Sequence, residues 1–277
     1  MEEKRYDGFF YKQGSFSPVK DLLAFEEVLS IAINDVPFTI TMRTPGNEVE
    51  LVRGLLFTEG IYRDLENHPH IEKVETNVDG YLTKVNVILP KEKLLKSFSG
   101  TRNITSVSSC GLCGKTELDE LSSDVLPMNE EVLDPSFVEK LFAEMRVHQN
   151  AFDQSGGTHA AAAFNFMGEL LEVQEDIGRH NAVDKVIGSL INKGKMKEAV
   201  VLTVSGRISY EIVSKALTAC IPILASVSAP STLAVETARQ SGMTLLAFCR
   251  NDKLTVYTHP ERMMALNVLK EVRCQKI

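Results

Sequence analysis

What this chain of 277 residues has little of narrows its class before any motif is read. It contains no tryptophan, an absence without functional content, and only five cysteines: Cys110, Cys113, Cys220, Cys249 and Cys274. An odd and small number in a chain this long excludes a disulfide framework. No apolar run reaches the roughly 20 residues that a membrane-spanning helix needs. The opening stretch, MEEKRYDGFFYKQGSFSPVK, shows neither the apolar region nor the cleavage site of a secretory signal. The expectation is a cytoplasmic protein with no membrane partner, in a compartment that keeps thiols reduced. Excess positive charge is also missing: 30 Lys and Arg against 37 Asp and Glu give −7. That argues against nucleic acid as a partner, because phosphate neutralisation needs clustered cations. A small phosphate-bearing ligand stays open, since a few local cations or a helix N-terminus can hold it. Heptads, solenoid periods and low-complexity tracts are absent as well.

What is present reads as two globular units. A hydrophobic fraction of 44% with 24% charged residues is ordinary for such a protein, and the length favours two cores. Residues 1–20 lack periodicity and are expected to be a tail. Residues 21–104 read as a small α+β domain. Strands at 27–33 and 37–42 are joined by the turn residues Asn34 and Asp35. A helix follows, with Thr44 as N-cap, Pro45 in the first helical position and Glu48 in the first turn, until Gly60 weakens it. Strands at 74–76 and 81–89 flank an Asp79-Gly80 hairpin turn. Residues 105–126, rich in Ser, Thr and Gly, read as a linker loop. Residues 127–277 then alternate helices (135–146, 181–191, 210–219, 231–240) with strands (158–164, 169–174, 199–204, 221–227, 243–248, 254–258). Strands apolar on both faces between helices predict a mostly parallel sheet in a three-layer α/β/α domain.

The linker carries Ser108-Ser109-Cys110-Gly111-Leu112-Cys113-Gly114. Buried structural cysteines would need apolar neighbours, and Gly and Ser offer none. A zinc site needs two more ligands at suitable spacing, and there is no second C-x-x-C or H-x-x-x-H. The deaminase signature fails too, because His159 is followed by Ala160 and Ala161. No metal is expected. Redox or sulfur-transfer chemistry fits better: it uses a thiolate, and paired cysteines near bare backbone N–H groups can have a lowered pKa. A thioredoxin-like reductase would instead set C-x-x-C at a helix start after a strand.

Polar knots in the second half are candidates for ligand contact. Gly156-Gly157 allows close backbone approach or a tight turn. Arg179 and His180, in DIGRHN before a helix, could bind an anion, or the segment could simply cap that helix. Ser205-Gly206-Arg207, the SVSAP stretch with Ser228, and Phe248, Cys249, Arg250, Asn251, Asp252 and Lys253 each follow a predicted strand. Ligands in open α/β sheets bind at such strand ends. None of these segments is a G-x-G-x-x-G or P-loop motif.

Together, SSCGLCGK, SGGTHAAAAF, EDIGRHNAVDKVIG, SGRISYEIVSKA, IPILASVSAPSTLAVE and TPGNEVELVRGLLFTEGI resemble the formate dehydrogenase accessory sulfurtransferase family, the FdhD family, over residues 23–258. The resemblance implies a sulfur carrier that takes sulfur from a cysteine desulfurase. It passes that sulfur to the molybdenum bis(molybdopterin guanine dinucleotide) cofactor before insertion into formate dehydrogenase. It implies a persulfide on Cys110 and cofactor binding along residues 248–253; the chemistry of a neighbouring thiol leaves open whether Cys113 resolves that persulfide or is not needed. It further implies a second domain resembling cytidine deaminase without its zinc site, and a homodimer. A cofactor-binding chaperone without covalent sulfur transfer and a general disulfide reductase are the competing functions.

Overall fold

The structure, a computed structural model, describes residues 5–95 and 133–263. The linker with Cys110 and Cys113, and the boundaries placed at 104 and 127, lie outside the described residues. Within them no helix is long and apolar enough to cross a membrane.

The expected tail is corrected at once. Strands β1 (Arg5–Lys12) and β2 (Ser15–Leu22) form an antiparallel hairpin over residues 5–22, closed by Gln13 and Gly14 at positive φ. The strand signal fails in the sequence because Phe9, Phe10 and Tyr11 are consecutive, which erases the period of two by which a half-buried strand is recognised.

The next unit has the predicted elements. Strands β3 (Glu27–Ile33) and β4 (Val36–Arg43) turn through Asn34 and Asp35, both at positive φ. Helix α1 (Glu48–Thr58) follows, then β5 (His70–Thr76) and β6 (Leu82–Ile88). The sheet order is β4-β3-β6-β5, with β3 parallel to β6. Leu29, Ile31, Ile33, Val85 and Val87 pack with Leu51, Val52, Leu55 and Leu56 of α1 in one core. Thr44 does not cap α1; Asn47, in a left-handed conformation, holds that position. The Thr44 hydroxyl instead accepts from the Ile177 amide at 3.0 Å, and its own amide donates to Asp176 Oδ2 at 3.2 Å. A residue that looks local in sequence is a tie to the second unit.

That unit begins with α2 (Pro135–Val147), whose N-cap Asp134 accepts from the Ser136 amide. A short helix that the sequence pattern does not announce, α3 (Asn150–Ser155), comes next. Then follow β7 (His159–Phe164), β8 (Leu170–Asp176), α4 (Arg179–Asn192), β9 (Val201–Val204), α5 (Tyr210–Thr218), β10 (Ile223–Ser226), α6 (Thr232–Gln240), β11 (Thr244–Arg250) and β12 (Lys253–Thr258). The sheet order is β12-β11-β10-β9-β7-β8. Only β9, β10 and β11 are mutually parallel; β7 runs against both β8 and β9, and β12 against β11. The sheet is therefore mixed rather than mostly parallel. The pairs β7–β8 and β11–β12 are joined by turns too short for a crossover, which forces them antiparallel. Residues of α4, α5 and α6 cover one face and residues of α2 the other, giving three layers.

The two units meet helix to helix. Gly54 of α1 and Gly188 of α4 let the backbones touch: a Cβ on Gly54 would collide with the Asp184 carbonyl, and one on Gly188 with the Glu50 carbonyl. In an ordinary helix Gly→Ala is stabilising by roughly 1 kcal/mol. Here Gly54→Ala and Gly188→Ala should each destabilise by about 3 kcal/mol, through overpacking against backbone that cannot yield. Urea denaturation of each variant checks this, and a neutral or stabilising result would mean the helices can separate freely.

Candidate functional site

The C-terminal edge of the parallel strands gathers most of the polar residues singled out in the second half. Past the end of β9 lie Ser205, Gly206 and Arg207; past the end of β10 lie Val227 and Ser228. Because β7 runs the other way, it starts at this same edge and places His159 there. Helix α4 begins just after β8, at Arg179 and His180.

Hydrogen bonds lace these segments into one frame. Ser205 Oγ accepts from the Ala160 amide at 2.9 Å and lies 3.3 Å from His159 Nδ1. Ser226 Oγ donates to the Gly206 carbonyl at 2.6 Å and accepts from the Ser228 amide at 2.9 Å. The Phe248 amide donates to the Ser228 carbonyl at 3.2 Å, which links β11 to the same edge. Gly206 has a reason to be glycine: a Cβ would press on His159 Nδ1 at 3.2 Å and on Arg179 Cβ at 3.3 Å. Behind this edge His180 Nε2 sits 3.3 Å from Ser209 Oγ and 3.8 Å from Glu211 Oε2.

The electrostatics follow from that packing. Burial is the main force lowering the pKa of His159, helped by the charges of Arg179 and Arg207 and opposed by Asp176. His180 is pushed further, down to about 3, again chiefly by burial and then by Arg179 and Lys215, against Glu59. The edge thus offers fixed guanidinium charge beside neutral imidazoles, an arrangement suited to an anion with hydrogen-bonding oxygens.

The stretch from Phe248 to Lys253 is divided by the structure. Phe248, at φ 56°, forms an irregularity in β11 beside Ser228 and is partly exposed. Cys249 points the other way into the core under α2; burial raises its thiol pKa to about 11. Its side chain is therefore not at the edge, contrary to its inclusion among cofactor contacts; a strand's alternation sends neighbours to opposite faces. Arg250 and Lys253 are paired across a tight turn whose two central residues, Asn251 and Asp252, have positive φ. All four are exposed. Asp252 faces Glu139 of α2 and raises its pKa by a carboxyl–carboxyl hydrogen bond and repulsion.

With this geometry in view, the chain can be set beside known proteins. The profile of the FdhD/NarQ family matches residues 24–264. The chain belongs to the FdhD/NarQ family. A Sulfolobus acidocaldarius relative named sulfur carrier protein FdhD is 43% identical over 256 residues, covering 91% of this chain and 95% of the relative. A Mycobacterium tuberculosis protein of the same name is 43% identical over 253 residues, covering 88% and 92%. A crystal structure from Desulfotalea psychrophila, described as a formate dehydrogenase accessory protein, shares the fold with a TM-score of 0.70 at 24% identity, covering 94% of this chain and 99% of that one.

The FdhD/NarQ stretch contains the whole strand-end frame, including two residues that sequence reasoning did not rank as ligand contacts. His159 was read as the residue at which a deaminase signature fails; its position opening an alanine-rich strand was the available signal. Glu211 gave none, because its place arises from where α5 comes together with α4, whereas Ser226 lies at the start of the SVSAP stretch already singled out.

A consequence in pH is measurable. A histidine whose pKa is depressed by folding binds fewer protons folded than unfolded, so stability is intact above the ordinary value of 6.5 and is lost as pH falls toward about 3. In thermal melts across that window, His180→Gln should flatten the acid slope by about 1 kcal/mol per pH unit at most. An unchanged slope would show that His180 is not held neutral.

Proposed function

We propose that this chain is a cytoplasmic sulfur carrier for formate dehydrogenase that loads sulfur on Cys110 and offers it to a molybdenum bis(molybdopterin guanine dinucleotide) cargo held at the strand-end frame. What carries the reading is likeness over about nine-tenths of the chain to relatives named sulfur carrier proteins, in a sequence that contains SSCGLCGK. The cytidine deaminase-like layout implied for residues 127–277 belongs to the same reading, supported by a mixed sheet covered on both faces. So does pairing into a homodimer.

The chemistry is thiol–disulfide displacement with a persulfide in place of a disulfide. Cys110 thiolate attacks the outer sulfur of the persulfide on a cysteine desulfurase. The donor's S–S bond breaks, the donor thiolate leaves, and Cys110 holds the persulfide. In one route the outer sulfur passes directly to molybdenum, which supplies two electrons as the S–S bond breaks and Cys110 thiolate returns. In the other, Cys113 attacks Cys110, hydrosulfide leaves with the bonding pair, and a dithiol reductant reopens the resulting disulfide. Arg179, Arg207 and the Ser228 segment would receive the phosphates of the dinucleotide, and Phe248 is placed to flank a flat ring.

Intact-mass measurement after incubation with a desulfurase and cysteine tests the reading. The wild type should gain one sulfur atom and Cys110→Ala none. Full transfer by Cys113→Ala would remove the resolving route while keeping the carrier. If no mass is gained yet guanosine diphosphate binds, the chain holds the cofactor without covalent transfer. In the same titration Arg207→Ala should weaken guanosine diphosphate by about tenfold, the scale of one charge-assisted contact.

A further inference from the structure

His159 and His180 each have one ring nitrogen tied to the protein and one that makes no hydrogen bond to a described residue. Burial lowers the pKa of both, so both are neutral at neutral pH. A neutral imidazole carries a single ring proton, and the tied nitrogen decides whether the other one donates or accepts.

At His159 the tied atom is Nδ1, 3.3 Å from Ser205 Oγ. That hydroxyl already accepts from the Ala160 amide at 2.9 Å. It has one proton of its own, and among the described residues Nδ1 is the acceptor within its reach. The pairing that leaves no polar group idle has Ser205 donating to Nδ1, which puts the ring proton on Nε2. Nε2 is open to the surface rather than sealed inside. The ring is wedged against Gly206, where a Cβ would press on Nδ1, so the direction of its outward N–H is fixed. Arg179 and Arg207 are close enough for their charges to act on the same ring. His180 is the reverse case. Its Nε2 lies 3.3 Å from Ser209 Oγ and 3.8 Å from Glu211 Oε2. A carboxylate only accepts, so it draws the ring proton to Nε2 and leaves a lone pair on Nδ1, which repels an anion.

We infer that His159, donating from Nε2, binds a phosphate oxygen of the ligand held at the strand-end edge, and that Ser205 positions it by fixing the tautomer. The inference rests on the reading of this edge as the holder of a guanine dinucleotide. It adds to the guanidinium groups a neutral, directional donor for the diphosphate. Two guanidinium charges attract an anion from any side, whereas a wedged N–H selects one placement of it.

Two measurements on the full chain test this. Nitrogen NMR of isotope-labelled histidine rings locates the proton without any ligand. His159 should carry it on Nε2, and a proton on Nδ1 overturns the inference whatever binds at the edge. Titration with guanosine diphosphate reads the contact itself. The side-chain amide of His159→Gln can set a donor near the place of Nε2. That variant should bind within about threefold of the wild type, and His159→Leu about tenfold more weakly, the scale of one hydrogen bond to a charged group. Equal weakening in both variants would mean that the ring only packs, and overturns the contact. So does wild-type affinity in His159→Leu, which leaves the carrier reading in place. A wild type that does not bind guanosine diphosphate overturns the contact and the edge as cofactor holder together. Sulfur loading on Cys110, read by intact mass, is judged apart from either.

Discussion

The backbone contact between α1 and α4 at Gly54 and Gly188 is the constraint on which the rest of the site depends. Helix α4 starts with Arg179 and His180, so whatever fixes its position fixes theirs. Buried polar ties lock the same contact. Lys185 Nζ lies 2.8 Å from Asp176 Oδ2 and 2.9 Å from the Thr44 carbonyl. Asp184 accepts from Thr58 and from Lys215, both at 2.8 Å. Burial raises the pKa of Asp184, against the pull of Lys215. Buried ion pairs of this kind add little net stability over apolar packing, yet removing one partner is costly. Another docking arrangement would leave one of these charges buried without its partner, which is what disfavours it.

That rigidity has an electrical consequence. Arg179 stands at the edge of the sheet while Lys215 approaches from the α1 side, and both help keep His180 neutral. Were the units to part, water would reach His180 and its pKa would climb toward the ordinary value, which would make the edge more positive and less selective. The strand-end frame therefore owes its fixed charge pattern to an interface several residues behind it. Arginine suits this role because it keeps its charge at any physiological pH and presents planar donors to oxygen anions.

Much of this was legible in the sequence, and the failures share a cause. The β3–β4 and β5–β6 hairpins, α1, α2, α4, α5 and α6 follow from apolar period, turn residues and glycine, all of which act over a few neighbouring positions. Errors arose where the deciding partner is distant in sequence. Thr44 was taken for a cap and proves to be tied to Asp176 and Ile177. Parallel strands were overcounted, because an apolar strand buried on both faces looks the same in either direction. Cys249 was grouped with its exposed neighbours, although alternation alone could have assigned it to the opposite face. The β1–β2 hairpin was missed because both its faces carry aromatic residues, so no buried side exists to impose a period.

The described residues also bear on where thiol chemistry can occur. Cys249 is buried and its thiol is pushed up to about 11, so it is protonated at neutral pH and shielded from another protein's sulfur. Cys220 is exposed but stands after α5 and before β10 begins, at the edge of the sheet opposite Ser226 and Ser228. A four-residue strand separates the two edges by roughly 13 Å, too far for a fixed side chain to hand over an atom. Neither described thiol can therefore serve the strand-end frame. Of the three remaining cysteines, Cys110 and Cys113 alone are adjacent enough to act as a pair and set among glycines that leave the backbone open. The burial that keeps Cys249 silent also removes it as a competitor for any reactive sulfur brought to this edge.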